Sequence, residues 1–261
     1  MNKAQLLALY NQDQRIDITF PGMRREITPD VVRHVDTSEI GEGMVTYSWL
    51  TEANADRVIR EQMQYFERIG QDFEWKVYDH DQPSGLVDRL RGFGFEIEDA
   101  EAVEVLDLAA APDIFWQPLR HDIRRITNPE QLVDVQAIEQ QVWDEDASWV
   151  EYLLGEALRQ YPDQMSIYVA YVDDQPASAA WIFFPNGSQF ASLFGGATVS
   201  RYRSQGLYTA LLAVRAQEAR TRKVHFLTVD TTSMSRPILE KLGFEPIALT
   251  YPCKWRYRVY G

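Results

Sequence analysis

The chain has 261 residues, of which 45% are hydrophobic and 12% aromatic, and it carries a formal net charge of −13. This length and composition exclude a disordered chain and are typical of a protein with two folded domains. The excess of carboxylates argues against nucleic-acid binding, because contacts with phosphate supply most of the non-specific affinity for nucleic acids.

The negative charge is concentrated in the first half of the chain. Residues 1–119 carry a net charge of −12, and residues 120–261 carry a net charge of −1. The acidic half is either an ordinary solvated surface or a surface that attracts a cationic amine. The nearly neutral half is the part of the chain that a polyanion can approach more easily.

The sequence contains one cysteine, Cys253, so that no disulfide can form within the chain and a reducing compartment is expected. Residues 1–14 have the pattern of a short helix with polar interruptions and lack the features of a secretory signal. The longest apolar stretch, 177–184, is much shorter than the ~20 residues of a membrane span. We therefore expect a cytoplasmic protein that does not contact a membrane.

In the first half, the pattern predicts a helix over residues 53–69 and then a strand over residues 73–79. This strand ends in Asp79 and is followed by a polar turn. A further helix then ends at Gly94-Phe95-Glu96. These elements predict a compact unit before the middle of the chain.

A connector is predicted over residues 108–118. It contains Ala109-Ala110-Ala111-Pro112 and Gln117-Pro118, which interrupt any regular element. The sequence therefore predicts two domains, 1–112 and 119–261.

In the second half, a strand over residues 120–127 leads to Asn128 and Pro129. Asn128 as N-cap and Pro129 in the first turn predict a helix that continues to Gln141. A second helix and three antiparallel strands joined by polar turns follow, at 147–160, 165–172, 177–184 and 189–199. Hairpins followed by a strand–helix–strand crossover predict an α/β fold, a mixed sheet with helices on both faces.

The most informative segment is the loop Arg203-Ser204-Gln205-Gly206-Leu207-Tyr208, which joins a strand to a helix over residues 208–220. A helix start leaves backbone N–H groups unpaired, and the positive end of the helix dipole adds to their attraction for anions. Gly206 allows close approach of the backbone, and Arg201 and Arg203 add positive charge. The loop therefore predicts a binding site for phosphate or pyrophosphate.

The spacing Arg203-x-x-Gly206-x-Tyr208 resembles the Arg/Gln-x-x-Gly-x-Gly/Ala signature of the GNAT superfamily of acyl-CoA-dependent N-acetyltransferases. The following strand over 224–229, the polar turn, the helix over 235–242 and the closing Leu242-Gly243-Phe244 also resemble the order of that family. Tyr208 departs from the small residue that the family carries at this position.

The resemblance implies acetyl-CoA as cosubstrate, with its pyrophosphate held by the loop amides and its pantetheine paired with the preceding strand. The implied coenzyme-binding residues are Ala197, Thr198, Val199, Arg203, Ser204, Gln205, Gly206, Leu207, Tyr208, Thr209 and Thr232.

The first half resembles a degenerate copy of the strand, turn and helix that close the second half. Residues 73–79 and 224–230 both form a strand-like run that ends in Asp, and the helices that follow end at Gly94-Phe95-Glu96 and Gly243-Phe244-Glu245. The helix over residues 53–69 lacks the Arg-x-x-Gly loop at its start. The resemblance therefore implies two GNAT-like acyl-CoA N-acyltransferase domains in tandem, the N-terminal one degenerate and without the coenzyme.

Acetyl transfer to an amine needs a base, because an alkyl ammonium has a pKa of about 10.4, and an acid to protonate the leaving thiolate. It also needs a backbone N–H for the carbonyl oxygen, which we expect from a bulged strand around residues 197–199. Asp230, at the end of a central strand, is a candidate base, although it also suits the role of a turn cap.

The acid is where the sequence departs from the family. Many members carry Asn-x-x-Ala-x-x-x-Tyr before the closing Gly-Phe, and the Tyr protonates the thiolate. Here Thr232, Ser235 and Leu239 occupy the Asn, Ala and Tyr positions. Leu239 cannot donate a proton, so that Ser235, another hydroxyl or water substitutes, or the protein binds acyl-CoA without this chemistry. Ser235 also suits the role of a helix cap.

Two further groups flank the acceptor site that the family resemblance implies. Carboxylates at the junction of the first two helices of the second half are either further candidates for the base or solvated helix ends: Glu139, Asp144, Glu145 and Asp146. Aromatic residues there and in the following strands either line an acceptor pocket or belong to the core: Trp143, Trp149, Tyr152 and Phe194.

The four histidines show no metal-ligand spacing, and no P-loop, dinucleotide fingerprint or nucleophile elbow is present, so that no metal is expected. The predicted function is an acetyl-CoA-dependent N-acetyltransferase acting on an unidentified amine. The alternative is an acyl-CoA-binding sensor or regulatory module without turnover. The sequence leaves open whether the protein is a monomer or a homodimer.

Overall fold

The computed structural model describes residues 1–38 and 41–257, which form two compact units. The first unit contains Met1–Glu104, Asp230–Glu240 and the described residues from Glu245 onward, and the second contains Val105–Val229 and Lys241–Phe244. Neither unit is one continuous stretch. The division of the sequence into domains 1–112 and 119–261 therefore stays a prediction, and residues 258–261 of its second domain lie outside the described residues.

The helices of the described residues are α1 (Lys3–Tyr10), α2 (Ala55–Ile69), α3 (Leu86–Gly92), α4 (Leu132–Trp143), α5 (Glu156–Gln160), α6 (Leu207–Thr221) and α7 (Arg236–Lys241). The strands are β1 (Met23–Ile27), β2 (Val31–Asp36), β3 (Gly43–Ser48), β4 (Phe73–Tyr78), β5 (Glu96–Ile97), β6 (Glu101–Asp107), β7 (Asp122–Ile126), β8 (Met165–Val172), β9 (Gln175–Phe183), β10 (Phe190–Thr198), β11 (Phe226–Thr231) and β12 (Glu245–Trp255). The helix expected over 147–160 is a π-helical turn over Glu151–Gly155 that continues into α5.

The first unit is organised around a mixed sheet. Strands β1, β2 and β3 are antiparallel neighbours, β3 and β4 are parallel, and β12 pairs antiparallel with both β4 and β5. Helix α2 covers this sheet with an apolar face because Val58, Ile59 and Phe66 recur at helical spacing and are fully buried. The Phe66 ring stacks on that of Phe73, with the centroids 4.3 Å apart.

Gly43 is required at the point where Phe66 crosses the sheet. A Cβ at this position would lie 2.2 Å from Cε1 of Phe66, well inside contact distance. The glycine therefore allows the aromatic ring to lie directly against the β3 backbone, which fixes the position of α2.

The two ends of the predicted sequence repeat have the same local conformation. Gly94 and Gly243 follow α3 and α7 with φ angles of +90° and +91°, a region that favours glycine. The next residues, Phe95 and Phe244, are both buried. The similarity of Gly94-Phe95-Glu96 to Gly243-Phe244-Glu245 is therefore matched by backbone geometry and by burial.

The second unit contains the strands that follow the connector. Strands β7, β8, β9 and β10 are antiparallel neighbours, and β10 is parallel to the start of β11. Helix α4 packs on β9 and β10, and α6 packs on β8, β9 and β10. Tyr171 of β8 donates to Asp134 of α4, and Tyr168 of the same strand donates to Glu218 of α6. The two hydroxyls anchor the two helices to one strand.

The closing strand β12 has a different partner from the one that its position in the sequence suggests. The sequence order places it at the end of the second domain, whereas its residues 250–255 pair with β4 of the first unit. An alternating apolar pattern specifies a strand but not its neighbour, because hydrogen-bonding partners are chosen by packing between residues far apart in the chain.

Candidate functional site

The loop between β10 and α6 carries a row of backbone donors. It begins with a 3₁₀ turn over Ser200–Tyr202 and then passes through two residues with left-handed φ, Ser204 at +62° and Gly206 at +80°. No acceptor among residues 1–38 and 41–257 pairs with the backbone N–H groups at the helix start, those of Gln205, Gly206, Leu207 and Thr209. These donors and the helix dipole favour an anion at this point.

Two arginines add positive charge to the loop. Arg201 and Arg203 are exposed, and within the described part of the chain neither forms an ion pair with a carboxylate. Nε of Arg203 donates to the carbonyl of Thr198 over 3.3 Å, and the guanidinium of Arg201 lies 4.7 Å from the ring centre of Tyr202. Both side chains are thus tethered beside the free N–H groups and retain donors for a ligand.

His121 supports the far side of the loop. Its Nε2 lies 3.0 Å from the carbonyl oxygen of Gln205, and because a carbonyl only accepts, this nitrogen carries the proton. A Cβ at Gly206 would have only this imidazole within 4 Å, with the nearest atom at 3.6 Å. The space in front of Gly206 is therefore open. The free donors, the unpaired arginines and this open space fit a phosphate or pyrophosphate group.

Strand β10 has a free edge beside the loop. It pairs with β11 only over Phe190–Ser192, and it pairs with β9 over Ser192–Thr198. From residue 193 onward, one edge of β10 therefore has no strand partner among the described residues. An extended chain with amide groups can pair with such an edge as an added strand.

A β-bulge interrupts β10 in this segment. The register with β9 shifts between Gly195 and Ala197, and Gly195 and Gly196 have φ angles of +71° and +92°. The sequence predicted a bulged strand around residues 197–199, and the bulge lies slightly earlier, at Gly195–Ala197. Ser178 of β9 donates its single hydroxyl proton to the Ala197 carbonyl over 2.7 Å, so that Thr198 Oγ1 donates to Ser178 over 2.8 Å. These two bonds fix the strand immediately after the bulge.

Arg215 is a residue of this site that sequence reasoning missed. Its guanidinium is buried, and Nη1 donates to the carbonyls of Trp181 and Phe194 over 3.1 and 3.2 Å, where the pairing of β10 with β11 has ended. Burial lowers the pKa of Arg215 to about 10. A basic residue in the middle of an apolar helix face was the available signal, because a buried arginine implies carbonyl or carboxylate partners.

The residues predicted for catalysis, Asp230 and Ser235, lie in the first compact unit. Thr232, Ser235 and Asp230 belong to the first unit, whereas residues 197–209 belong to the second. Asp230 accepts a short hydrogen bond from Nζ of Lys76, and this carboxylate raises the pKa of Lys76 although burial opposes the shift. Ser235 is half-buried, and its carbonyl accepts from the backbone of Ile238 and Leu239.

The residue at the family's tyrosine position is part of the packing. Leu239 is fully buried. This position of α7 therefore has no hydroxyl, and its apolar side chain contributes to the packed interior.

Of the candidate carboxylates at the α4–α5 junction, only Glu139 is buried. Its side chain is 5% exposed, whereas Asp144, Glu145 and Asp146 are exposed and Asp146 accepts from the backbone and hydroxyl of Ser148. Trp143 Nε1 donates to Glu139 Oε2 over 2.9 Å, and burial raises the pKa of Glu139.

The aromatic candidates are largely exposed. Trp143, Trp149, Tyr152 and Phe194 have exposures of 60, 38, 42 and 44%. Trp149 stacks in a tilted arrangement on the buried Trp181, with the centroids 5.9 Å apart. They are therefore surface residues of the second unit and not members of its core.

The α/β fold thus brings the free N–H groups at the start of α6 next to the unpaired edge of β10. Residues 130–253 match the family of acetyltransferase (GNAT) domains. A comparison with curated protein sequences gives no match.

Solved structures show a similar fold over nearly the whole chain. A GCN5-related N-acetyltransferase from Kribbella flavida has a TM-score of 0.69 and 14% identity, over 96% of this chain and 95% of that chain. A functionally unknown conserved protein from Staphylococcus epidermidis has a TM-score of 0.67 and 14% identity, over 93% and 97%. A tandem GNAT protein from the clavulanic acid biosynthesis pathway has a TM-score of 0.61 and 13% identity, over 94% and 86%. The predicted tandem GNAT fold is confirmed.

Within the residues that the structure describes, no three His, Cys, Asp or Glu side chains come together as a possible metal site. None of the helices described combines the length and the apolar character needed to cross a bilayer.

Proposed function

We propose that the protein is an acetyl-CoA-dependent N-acetyltransferase that moves an acetyl group to the amine of an acceptor. The observation that carries this proposal is the row of free N–H groups at the start of α6, next to the unpaired edge of β10. The free N–H groups suit the pyrophosphate of coenzyme A, and the unpaired strand edge suits its extended chain of amides.

In this proposal, each part of the site has one task. The free N–H groups of Gln205, Gly206, Leu207 and Thr209 and the guanidinium of Arg203 hold the pyrophosphate. Ser204 and Tyr208 stay proposed contacts that rest on the family resemblance. The edge of β10 from residue 193 to 198 pairs with the pantetheine amides, and a backbone N–H of Ala197 or Thr198 faces the thioester oxygen. The N–H of Val199 is not free for this role, because it donates to the carbonyl of Ala177 over 3.0 Å. When bound, acetyl-CoA supplies a thioester carbonyl that an amine can attack. Thr232 stays a proposed contact that rests on the family resemblance.

The two proton transfers are assigned to residues of β11 and of the segment after it. Asp230 is the proposed base because it lies near the carboxyl end of β11, and Ser235 is the proposed acid because it stands at the Ala position of the family's motif. The ion pair of Asp230 with Lys76 gives this carboxylate a structural task as well. Leu239 cannot donate a proton, so that water or Ser235 protonates the leaving thiolate.

A sensor that binds acyl-CoA without turnover is the second candidate. The observation that favours it is the buried Leu239 in place of a hydroxyl. Release of free thiol from acetyl-CoA in the presence of a panel of primary amines separates the two candidates. Thiol release that depends on an amine supports the transferase, whereas binding without release supports the sensor.

The test of the coenzyme site is calorimetric titration of acetyl-CoA into the wild type and a Gly206→Asp variant. The variant places a carboxylate among the free N–H groups, so that we expect one-site binding by the wild type and none by the variant. Gly187→Asp is the matched control, because Gly187 also has a left-handed φ, of +75°, and nothing lies within 4 Å of its Cβ position. If folded wild type does not bind acetyl-CoA, both candidate functions are wrong.

We also propose a reducing, cytoplasmic location. The supporting observation is the single cysteine, Cys253, whose thiol is buried and whose pKa is raised by burial. The strongly acidic composition supports partners other than nucleic acid, and the acceptor is proposed to be an amine. The oligomeric state is left as monomer or homodimer.

A further inference from the structure

Glu139 is a buried carboxylate with an incomplete set of partners. Oε2 accepts one hydrogen bond from Trp143, while Oε1 is buried and has no hydrogen-bond partner among residues 1–38 and 41–257. No Lys, Arg or His within the described residues forms an ion pair with this carboxylate. A buried carboxylate with neither a cation nor a full set of donors is unfavourable, so that a ligand that brings a further donor and a positive charge is stabilised at this position.

The aromatic surface of the second unit consists of the exposed rings of Trp143, Trp149 and Phe194. The indole that donates to Glu139 belongs to Trp143, which is 60% exposed one helical turn later. Helix α4 packs on β9 and β10, the strands that carry Trp181 and Phe194. Phe194 is 44% exposed, and Trp149 covers part of Trp181. Exposed rings of this size favour burial against an apolar ligand.

The aromatic surface reaches the bulge of β10. A Cβ at Gly195 would lie 2.5 Å from Cζ3 of Trp181, so that the indole rests directly on the Gly195 backbone. The Trp149–Trp181 pair therefore extends from the bulge, where we propose that the acyl carbonyl is held, towards the surface. A ligand that lies along these rings has one end at the bulge.

We propose that Glu139, Trp143, Trp149 and Phe194 bind the acceptor, and that the acceptor is an arylalkyl primary amine. The proposal rests on the proposed transferase function. The ammonium group donates to Oε1 of Glu139, which supplies the missing donor and the missing positive charge together. The aryl group packs on the exposed indoles, and an ammonium beside Trp143 also gains from the ring quadrupole.

The test is calorimetric titration with three probes in the presence of saturating coenzyme A. The probes are 2-phenylethylamine, the uncharged 2-phenylethanol and the ringless ethylamine. We expect 2-phenylethylamine to bind at least tenfold more tightly than either of the others, because only this probe has both the charge and the ring. Equal affinities for all three probes would overturn the proposal.

Substitutions of Glu139 and Trp143 test whether the amine binds at the proposed acceptor site. Glu139→Gln keeps the shape and an oxygen for Trp143 but removes the charge, and we expect it to weaken 2-phenylethylamine at least tenfold without a change for 2-phenylethanol. Glu145→Gln is the matched control, because Glu145 is exposed and lies two residues beyond the end of the same helix. If Glu139→Gln does not fold, Trp143→Phe, which changes an exposed indole, is expected to weaken the same probe at least threefold. Unchanged binding by the folded variants would overturn the site.

The titrations distinguish failure of this inference from failure of the proposed function. Acetyl-CoA that binds the wild type and not Gly206→Asp, together with no preference for 2-phenylethylamine, overturns the acceptor site and leaves the coenzyme site intact. Absence of acetyl-CoA binding is a failure of the proposed function itself. If turnover is observed, Glu139→Gln is expected to raise KM for 2-phenylethylamine more than it lowers kcat.

Discussion

The ring of Tyr208 lies against the backbone of Gly196, so that a Cβ at position 196 would stand 2.8 Å from Cε2 of the tyrosine. Tyr208 is the residue at which the loop departs from the small side chain of the GNAT signature. The large ring in the first turn of α6 is accommodated because the residue opposite it in the bulge of β10 has no side chain. The departure from the signature is therefore linked to the glycine at 196.

This link predicts the effect of Gly196→Ala on stability. The variant must adopt a φ of +92° and must push the tyrosine away, so that we expect the free energy of unfolding to fall by about 2–4 kcal/mol. Urea unfolding measures the change. In a Tyr208→Ala background the steric part disappears, and only ~1–2 kcal/mol for the backbone conformation is expected to remain.

Gly187→Ala is the control for the backbone contribution. It has a φ of +75° and an empty Cβ position, so that its loss should match the loss that Gly196→Ala causes in the Tyr208→Ala background. Equal losses for Gly196→Ala with and without the tyrosine would contradict the link between the two residues.

Arg203 predicts a salt-dependent contribution to coenzyme binding. Arg203→Gln removes one positive charge near the free N–H groups, and we expect acetyl-CoA affinity to fall about threefold to tenfold at low salt. The difference should shrink as ionic strength rises, because the side chain is exposed. Calorimetry at several salt concentrations measures both. Arg220→Gln, at the other end of α6, is the control, and an equal loss for both variants would argue against a local contact.

The buried guanidinium of Arg215 is expected to stabilise the part of β10 that no longer pairs with β11. Arg215→Met leaves the carbonyls of Trp181 and Phe194 buried without this donor, and we expect a loss of about 3 kcal/mol or more in the free energy of unfolding. Arg215→Lys keeps the charge with a single point of donation and should lose less. Chemical unfolding provides both values, and a methionine variant as stable as wild type would contradict the role.

Glu104 predicts a pH-dependent loss of stability. Its side chain is fully buried, and neither carboxylate oxygen has a hydrogen-bond partner within the described part of the chain. The hydroxyl of Thr231 donates to the carbonyl of Ala102, and Nε of Arg236 forms an ion pair with Oε1 over 3.7 Å. Burial, assisted by Glu240, raises the pKa of Glu104 to about 7. Between the unfolded pKa of about 4.3 and this value the folded state binds more protons, so that stability falls as the pH rises through this window.

Glu104→Gln tests this dependence. Relative to wild type, the variant is expected to gain up to about 3 kcal/mol of unfolding free energy between pH 4.5 and pH 7.5, because it has no proton to lose. Urea unfolding across this range measures the difference. Glu67→Gln, an exposed position in α2, should give a constant difference. A constant difference for Glu104→Gln as well would contradict the raised pKa.

Asp230 and Lys76 allow a test of the proposed base. Asp230→Asn and Lys76→Met both remove the ion pair, but only the first removes the carboxylate. If Asp230 is the base, kcat falls at least about 100-fold in the asparagine variant and less than tenfold in the methionine variant. Thiol release at saturating acetyl-CoA gives kcat. Similar losses in both variants would indicate that the pair is structural.

Local signals in the sequence were sufficient for most of the elements of the second unit. Residues 165–172, 177–184 and 189–199 correspond to β8, β9 and β10 within a few residues, because alternation and turn residues are properties of short segments. The helix predicted from 208 to 220 corresponds to α6, since the glycine at its start and the helical period are local as well. The fold class followed from the order of these elements.

The contacts of the site that join residues far apart in the sequence could not be predicted from such local signals. The pairing of Asp230 with Lys76 joins positions 154 apart in the sequence, and the contact of Arg215 with Trp181 joins positions 34 apart. Periodicity gives the face on which a residue lies, but it does not give the partner across that face. The special position of Glu139 was equally unpredictable. The sequence contains four candidate carboxylates at this junction, and only burial in the tertiary structure distinguishes Glu139 from the other three.

The sequence by itself determined the donor-rich loop, the glycine with left-handed φ at its centre and the helix that follows, because the backbone conformation there depends on neighbouring residues. Only the tertiary structure decided that β12 pairs with β4, that the bulge lies at Gly195–Ala197 and that Tyr208 rests on Gly196. These relationships depend on side-chain volume and on hydrogen-bonding partners from distant parts of the chain. Such partners are selected when the chain packs.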